Sequence, residues 1–249
     1  MSREEMADSA VDNEGTCSES WHQSPLGLYV QAQEQALFDA SVADIFGFNA
    51  IQMGMLHMNL LETSRIPLNI HASNEAGDVC CDSTQLPFPA GSIDLMLLPH
   101  GLDFSVNPQQ SLREAERVLV PEGYLLLTGF NPLSFWGVMR MIKSRQNFPW
   151  RGNFYSLLRI KDWLALLGFE VISVRTVCYA PVFQNKAWLD RFAWMEHLGK
   201  KMLPMMGGVY FIVAQKKVVG MRLIRPQWQK TKFKPRLVTT STQKEDLHH

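Results

Sequence analysis

The strongest constraint on this chain is the order of patterns between Asp82 and Asn131. Ile93 to Leu98, Ile-Asp-Leu-Met-Leu-Leu, is apolar on both alternating faces, as a strand covered by helices on both sides must be. Asn107-Pro108 then supplies a capping side chain and a first-turn proline, and Leu112, Ala115, Val118 and Leu119 recur at helical spacing. Pro121-Glu122-Gly123 ends that helix and turns the chain into a second apolar strand, Tyr124 to Phe130. Strand, helix, tight turn, strand is a right-handed parallel crossover. A chain that carries one folds as an α/β sheet with helices on both faces.

The rest of the chain extends that unit. The spacing from Pro25 through Leu28, Ala32, Ala36, Leu37 and Ala40 to Ile45 predicts a helix stopped by Gly47. Strands are expected over Asn49–Gly54, Arg65–Ala72, with Pro67 at its edge or start, and Val79–Cys81. Past Asn131, rings (Phe135, Trp136, Phe148, Trp150, Phe154, Tyr155) alternate with Arg140, Lys143, Arg145 and Arg151. This segment is read as an insert capping the sheet, and its mixture of rings and cations also suits peripheral membrane contact. Ile160, Trp163, Leu164 and Leu167 predict a helix ending at Gly168. A strand (Phe169 to Val177), a second aromatic helix (Asn185 to Leu203) and a last strand (Gly208 to Gln215) follow.

With 249 residues, 46% of them hydrophobic, the chain can bury one large core with additions. The expected division is a disordered acidic segment 1–20, a main domain 21–217 with its insert at about 132–158, and a basic flexible tail 218–249. The formal net charge of +0 argues against a nucleic-acid partner for the whole chain, although the basic tail could contact nucleic acid or an anionic membrane. Cys17, Cys80, Cys81 and Cys178 form no CxxC pair, and neighbouring Cys80 and Cys81 on a strand point to opposite faces. No secretory signal or run of ~20 apolar residues is present, so a cytoplasmic protein with reduced thiols and no metal site is expected. Hydrolase elbows, phosphate loops, zinc-protease helices and dinucleotide fingerprints are all missing.

Three quoted stretches carry a family resemblance: Asp82-Ser83-Thr84-Gln85-Leu86-Pro87-Phe88, Ile93 to His100, and Glu114 through Arg117-Val118-Leu119 to Pro121-Glu122-Gly123 and Gly129. In this order they resemble the second half of the cofactor domain of class I S-adenosylmethionine-dependent methyltransferases, the type 11 group in particular. The resemblance implies a Rossmann-like methyltransferase fold: a mostly parallel sheet of order 3-2-1-4-5-7-6, helices on both faces, and here an aromatic-rich insert after the fifth strand. It also implies S-adenosylmethionine across the carboxyl ends of the strands. Asp82 matches the acid that accepts from the adenine amino group, and Ser83 the residue whose N–H lies beside the ring. Asp82 as a plain turn cap is the competing reading. Asp94 matches an acid of structural role, while Pro99 and His100 match the strand end that faces the sulfonium and the acceptor.

The first half departs from the pattern. Where the family has an acid followed by a glycine-rich loop, this chain has Gln52-Met53-Gly54-Met55-Leu56-His57-Met58, one glycine of three and an amide for the acid. Gln52 and Gly54 are the matching cofactor positions. The link Ser73 to Gly77 is too short for the helix that normally precedes the third strand, and Glu75 is the candidate ribose acid. His100 is the candidate base, or a structural histidine; Asn131, in Gly129-Phe130-Asn131-Pro132, either binds the acceptor or caps a turn. The expected function is methyl transfer to a small-molecule acceptor, small or amphipathic. The alternative is a degenerate member that keeps the fold for binding or regulation.

Overall fold

The structure, a computed structural model, describes residues 21–142, 149–180 and 205–217. The helix expected over Asn185 to Leu203, the segments 1–20 and 218–249, and part of the insert lie outside the described residues.

Among the described residues, seven strands form one sheet: β1 (Asn49–Met53), β2 (Leu68–Ser73), β3 (Val79–Cys80), β4 (Ile93–Pro99), β5 (Leu119–Phe130), β6 (Phe169–Val177) and β7 (Val209–Lys216). Their order is β3-β2-β1-β4-β5-β7-β6, as the resemblance implied. The first five are mutually parallel, and β7 lies antiparallel between β5 and β6. The described helices are α1 (Pro25–Val42), α2 (Gly101–Phe104), α3 (Pro108–Val118), α4 (Phe135–Ile142) and α5 (Leu157–Leu166).

Local chemistry sets the helix ends. Ser24 Oγ accepts the Gly27 N–H at 3.1 Å to start α1, and Asn107 Oδ1 accepts the Gln110 N–H at 3.2 Å to start α3. α1 stops at Val42, short of the expected Gly47, while Gly168 (φ +81°) follows α5 in the left-handed conformation as read. β5 starts earlier than expected. Ile93 pairs with Leu119 but Leu95 with Tyr124, so Pro121-Glu122-Gly123 bulges out of the strand instead of preceding it, with Glu122 at φ +64°.

Alternate residues of the strands enter two cores. On one face Ile51, Met96, Leu98, Leu125 and Leu127 pack against Leu112, Ala115 and Val118 of α3 and Ile160 and Leu164 of α5. On the other, Ala50, Leu95, Leu97, Leu126 and Phe211 pack against Phe38 and Val42 of α1. Each fully buried Leu, Ile, Val, Met or Phe among them contributes about 1.5–3 kcal/mol. No helix is described between β1 and β2, or in the link Asn74–Asp78 between β2 and β3. Leu60 and Leu61, from the turns after β1, share the covering of that face with α1. A third cluster joins Trp136, Trp150 and Phe154 of the insert to Leu26 and Val30 of α1 and Phe130 of β5.

Candidate active site

A parallel sheet brings the ends of β1, β2, β3 and β4 to one edge. Gln52 pairs with Leu97 and Pro99 with Thr128, so Gly54, Pro99, His100 and the end of β5 lie at about one level. Gly54 adopts φ +83°, where only glycine is unstrained, and a Cβ built there would meet nothing within 4 Å. The turn therefore leaves open space where β1 ends. Glu75 is exposed in the turn after β2, its N–H on Ser73 Oγ at 3.3 Å.

Gln52 faces inward from that turn. It is fully buried, and its Nε2 donates to the carbonyls of Gly54 (3.2 Å), Met55 (3.2 Å) and Met58 (2.8 Å). Its Oε1 accepts the Leu60 N–H at 3.0 Å. Both ends of the amide hold the loop together, so in this arrangement Gln52 has no polar atom turned toward a ligand.

His100 closes β4 in the left-handed conformation (φ +50°), and its ring lies between two carboxylates. Nδ1 is 2.8 Å from Asp103 Oδ2 and Nε2 is 2.8 Å from Glu34 Oε1 of α1, with all three side chains buried. Asp103 Oδ2 also accepts the Phe130 N–H at 2.9 Å, and the Phe130 ring lies 4.1 Å from the imidazole, centroid to centroid. Burial opposes a charge on His100, but the two carboxylates outweigh it and hold the pKa up at about 10. With each ring nitrogen 2.8 Å from a carboxylate, neither is turned toward an acceptor, which favours the structural alternative over the general base: His100 links α1 to the end of β4. Glu34 and Asp103 were not singled out from the sequence. The signal was there for Glu34, since Leu26, Val30, Glu34, Phe38 and Val42 recur every four residues and all are buried, an acid in the middle of an apolar stripe.

Asn131 is occupied too. Its Nδ2 donates to the Met205 and Gly207 carbonyls at 2.8 and 3.0 Å, and its Oδ1 accepts the Leu133 N–H at 3.0 Å. The turn-capping alternative describes it better than acceptor binding.

Asp82 is exposed, with Oδ1 accepting the Thr84 N–H at 2.8 Å. Ser83 Oγ lies 2.9 Å from the buried Ser111 Oγ of α3, which fixes the loop against that helix. Glu114 Oε2 accepts the Leu86 N–H at 3.0 Å, while Arg117 donates to the Leu86 and Phe88 carbonyls at 2.8 and 2.9 Å. A groove of about 770 Å³ opens between this loop and α3, bounded by Asp82, Leu86, Val106, Asn107 and Arg117 among others. Of the five expected cofactor residues only Asp82 borders it, so the groove adjoins the strand edge at Asp82 and does not span it. Pro99 is buried at the end of β4.

Comparison with known proteins agrees with this architecture. Residues 52–127 match the methyltransferase domain family, a span that runs from Gln52 to the end of the crossover. The uncharacterized protein YafS of Escherichia coli (strain K12) is 32% identical over 225 residues, covering 87% of this chain and 88% of YafS. A solved SAM-dependent methyltransferase from Thermotoga maritima superposes with a TM-score of 0.58 at 16% identity, covering 84% of this chain and 99% of that one. Another from Archaeoglobus fulgidus gives 0.53 at 15% identity, covering 75% and 94%.

Proposed function

Because this chain belongs to the class I S-adenosylmethionine-dependent methyltransferases of the type 11 group, we propose that it holds S-adenosylmethionine along the carboxyl edge of β1 to β4 and methylates a small or amphipathic acceptor. The observation that supports this most is the open turn at Gly54, level with Pro99 and on the same edge as the exposed Asp82.

The residues present fit the group. Gly54 leaves room for close approach, Asp82 offers a carboxylate to an amino group, Ser83 a backbone N–H, and Glu75 a carboxylate at the end of β2. Pro99 shapes the edge between them. When bound, the cofactor supplies an electrophilic methyl group on a sulfonium, which needs an aligned nucleophile more than a base. The chain contributes alignment and dryness. α1 is anchored through Glu34 to His100, and Phe130, Trp136 and Phe154 exclude water at the end of β5. With both ring nitrogens of His100 and the Asn131 amide engaged within the protein, neither is offered to the acceptor as a base or an anchor.

The Gln52 amide favours a second reading at one point: nothing at that position supplies the negative charge that the family sets against the cofactor's ammonium. A member that binds weakly or only regulates would look the same there. Titration calorimetry with S-adenosylmethionine and S-adenosylhomocysteine decides. Binding that falls about tenfold, ~1.4 kcal/mol, in Asp82→Ala is the expected result. A folded protein that binds neither would overturn the methyl-transfer reading in favour of the second.

A further inference from the structure

The acid that the family sets beside its glycine-rich loop is an amide in this chain, and Gln52 turns both of its ends to its own loop. A carboxylate stands close by on another element. α1 and the residues leading into it lie along the turns after β1: Gln35 Nε2 donates to the Asn59 carbonyl at 3.1 Å, the rings of His22 and His57 are 4.0 Å apart between centroids, and Phe38 packs in one cluster with Met58 and Leu60. Glu34 sits one helical turn before Phe38 on the same buried stripe. From there it reaches the end of β4, with Oε1 2.8 Å from His100 Nε2.

Only one oxygen of that carboxyl group is accounted for. Glu34 is 1% exposed, yet Oε2 has no hydrogen-bond partner among the described residues, and the same is true of Asp103 Oδ1. A buried carboxylate oxygen without a donor is costly, so it marks a place that another molecule fills. The charges nearby call for a cation. The His100 ring carries at most one positive charge against two carboxyl groups, and burial lowers the pKa of His57 and brings that of His22 down to about 4, so neither of those rings is charged at neutral pH. Of the two carboxyl groups, Asp103 is bonded on the β5 side, where it accepts the Phe130 N–H, whereas Glu34 lies on the β1 side.

We propose that Glu34 Oε2 receives the ammonium group at the methionine end of S-adenosylmethionine, in place of the acid missing at position 52. This assignment rests on the methyl-transfer reading and names a residue for the end of the cofactor that Gln52 leaves without a charge. Placement supports it. Gln52 pairs with Leu97, so Gly54, with its open space, is level with Pro99, and His100, which holds Glu34, follows directly. Glu34 also acts electrostatically on His57, three residues past Gly54. An ammonium group brings three donor hydrogens and one positive charge, the two things that Oε2 lacks. His100 is then a positioning residue: by engaging Oε1 it fixes the carboxylate that meets the ligand.

The test is titration calorimetry of the full chain with S-adenosylhomocysteine and with methylthioadenosine, which keeps the adenosine and the thioether but has no amino-acid end. The quantity read is the preference for the first ligand over the second. The wild type is expected to prefer S-adenosylhomocysteine. Glu34→Gln, whose amide oxygen can still accept from His100, is expected to lower that preference about tenfold while methylthioadenosine binds as before. Asp82→Ala is expected to weaken both ligands and to leave the preference alone. If Glu34→Gln does not fold, Glu34→Gln/His100→Asn replaces both partners by neutral groups and is read in the same way. A preference that survives the loss of the Glu34 carboxylate overturns the assignment and gives Oε2 to a bound water; the methyl-transfer reading then still stands if Asp82→Ala weakens both ligands. A folded wild type that binds neither ligand overturns the two together.

Discussion

Two loops, one in each half of the crossover pattern, are fastened by different chemistry. On the C-terminal side, in the stretch that leads into β4, charged groups do it: Glu114 with Arg117 holds Leu86 and Phe88. On the N-terminal side the neutral Gln52 holds the turns after β1. The difference follows from what must be satisfied. With no helix described after β1, the carbonyls of Gly54, Met55 and Met58 and the N–H of Leu60 need partners, and an amide offers two donor hydrogens and an acceptor oxygen on one side chain. A carboxylate, which the family pattern has here, could serve Leu60 alone.

The largest effect is expected where the halves are joined. Glu34 and His100 link α1, which covers β1, to the end of β4, and the pair is almost wholly buried. Glu34→Ala leaves an imidazolium bonded on one side only and is expected to cost about 4 kcal/mol in denaturant unfolding. The pair also has a pH signature. The folded pKa of His100, about 10, lies above the ordinary 6.5, so its contribution is complete below 6.5 and is lost as pH rises through 10. Wild-type stability should fall across that window, and Glu34→Ala should show a shallower fall. Parallel slopes would mean that His100 is not charged in the folded state.

Next comes the N-terminal half itself. Gln52→Glu restores an acid of the family's kind and is nevertheless expected to destabilise, by about 3 kcal/mol at neutral pH, because it sets a buried carboxylate against three carbonyl oxygens. Thermal and denaturant unfolding measure it. A neutral or stabilising result would show that the loop rearranges and that position 52 is free to meet a ligand, which would dissolve the contrast between the halves.

Much of this was legible in the sequence for a physical reason. The stretch from Asp82 to Asn131 carries its instructions locally: a doubly apolar strand, an Asn-Pro helix start and a tight turn each act within a few residues. The sheet order followed from the family resemblance that this stretch carries, and the limits of β4 from the stretch itself. What escaped depends on distant partners. Glu34 meets His100 across 66 positions, and nothing around Gln52 shows that its amide turns back on its own loop. The bulge at Pro121-Glu122-Gly123 escaped because Leu119, which looks like the last residue of a helical stripe, pairs with Ile93 as strand. The motifs located the edge of the sheet, but side-chain roles on that edge were set by burial.

The smallest effect is the reciprocal exchange in the C-terminal half. In Glu114→Gln an amide replaces the carboxylate that accepts from Leu86 and pairs with Arg117 at 2.8 Å. The Arg117 hydrogen bond holds the Glu114 carboxyl below its usual range, so the charged form is the one at work. Yet the amide oxygen can still accept the Leu86 N–H, and Arg117 keeps its bonds to the Leu86 and Phe88 carbonyls. What is lost is one ion pair whose Arg is 37% exposed, so solvent screens it and the cost should be near 1 kcal/mol or less. Measured side by side, the two exchanges should therefore be unequal, Gln52→Glu costing roughly three times as much as Glu114→Gln. Equal costs would mean that the loop after β1 accepts a carboxylate as readily as the loop before β4 accepts an amide. The expected inequality would show instead that the Gln52 amide is matched to its own loop, and Asp82→Ala in calorimetry then asks separately whether the β3 side of the edge meets the cofactor.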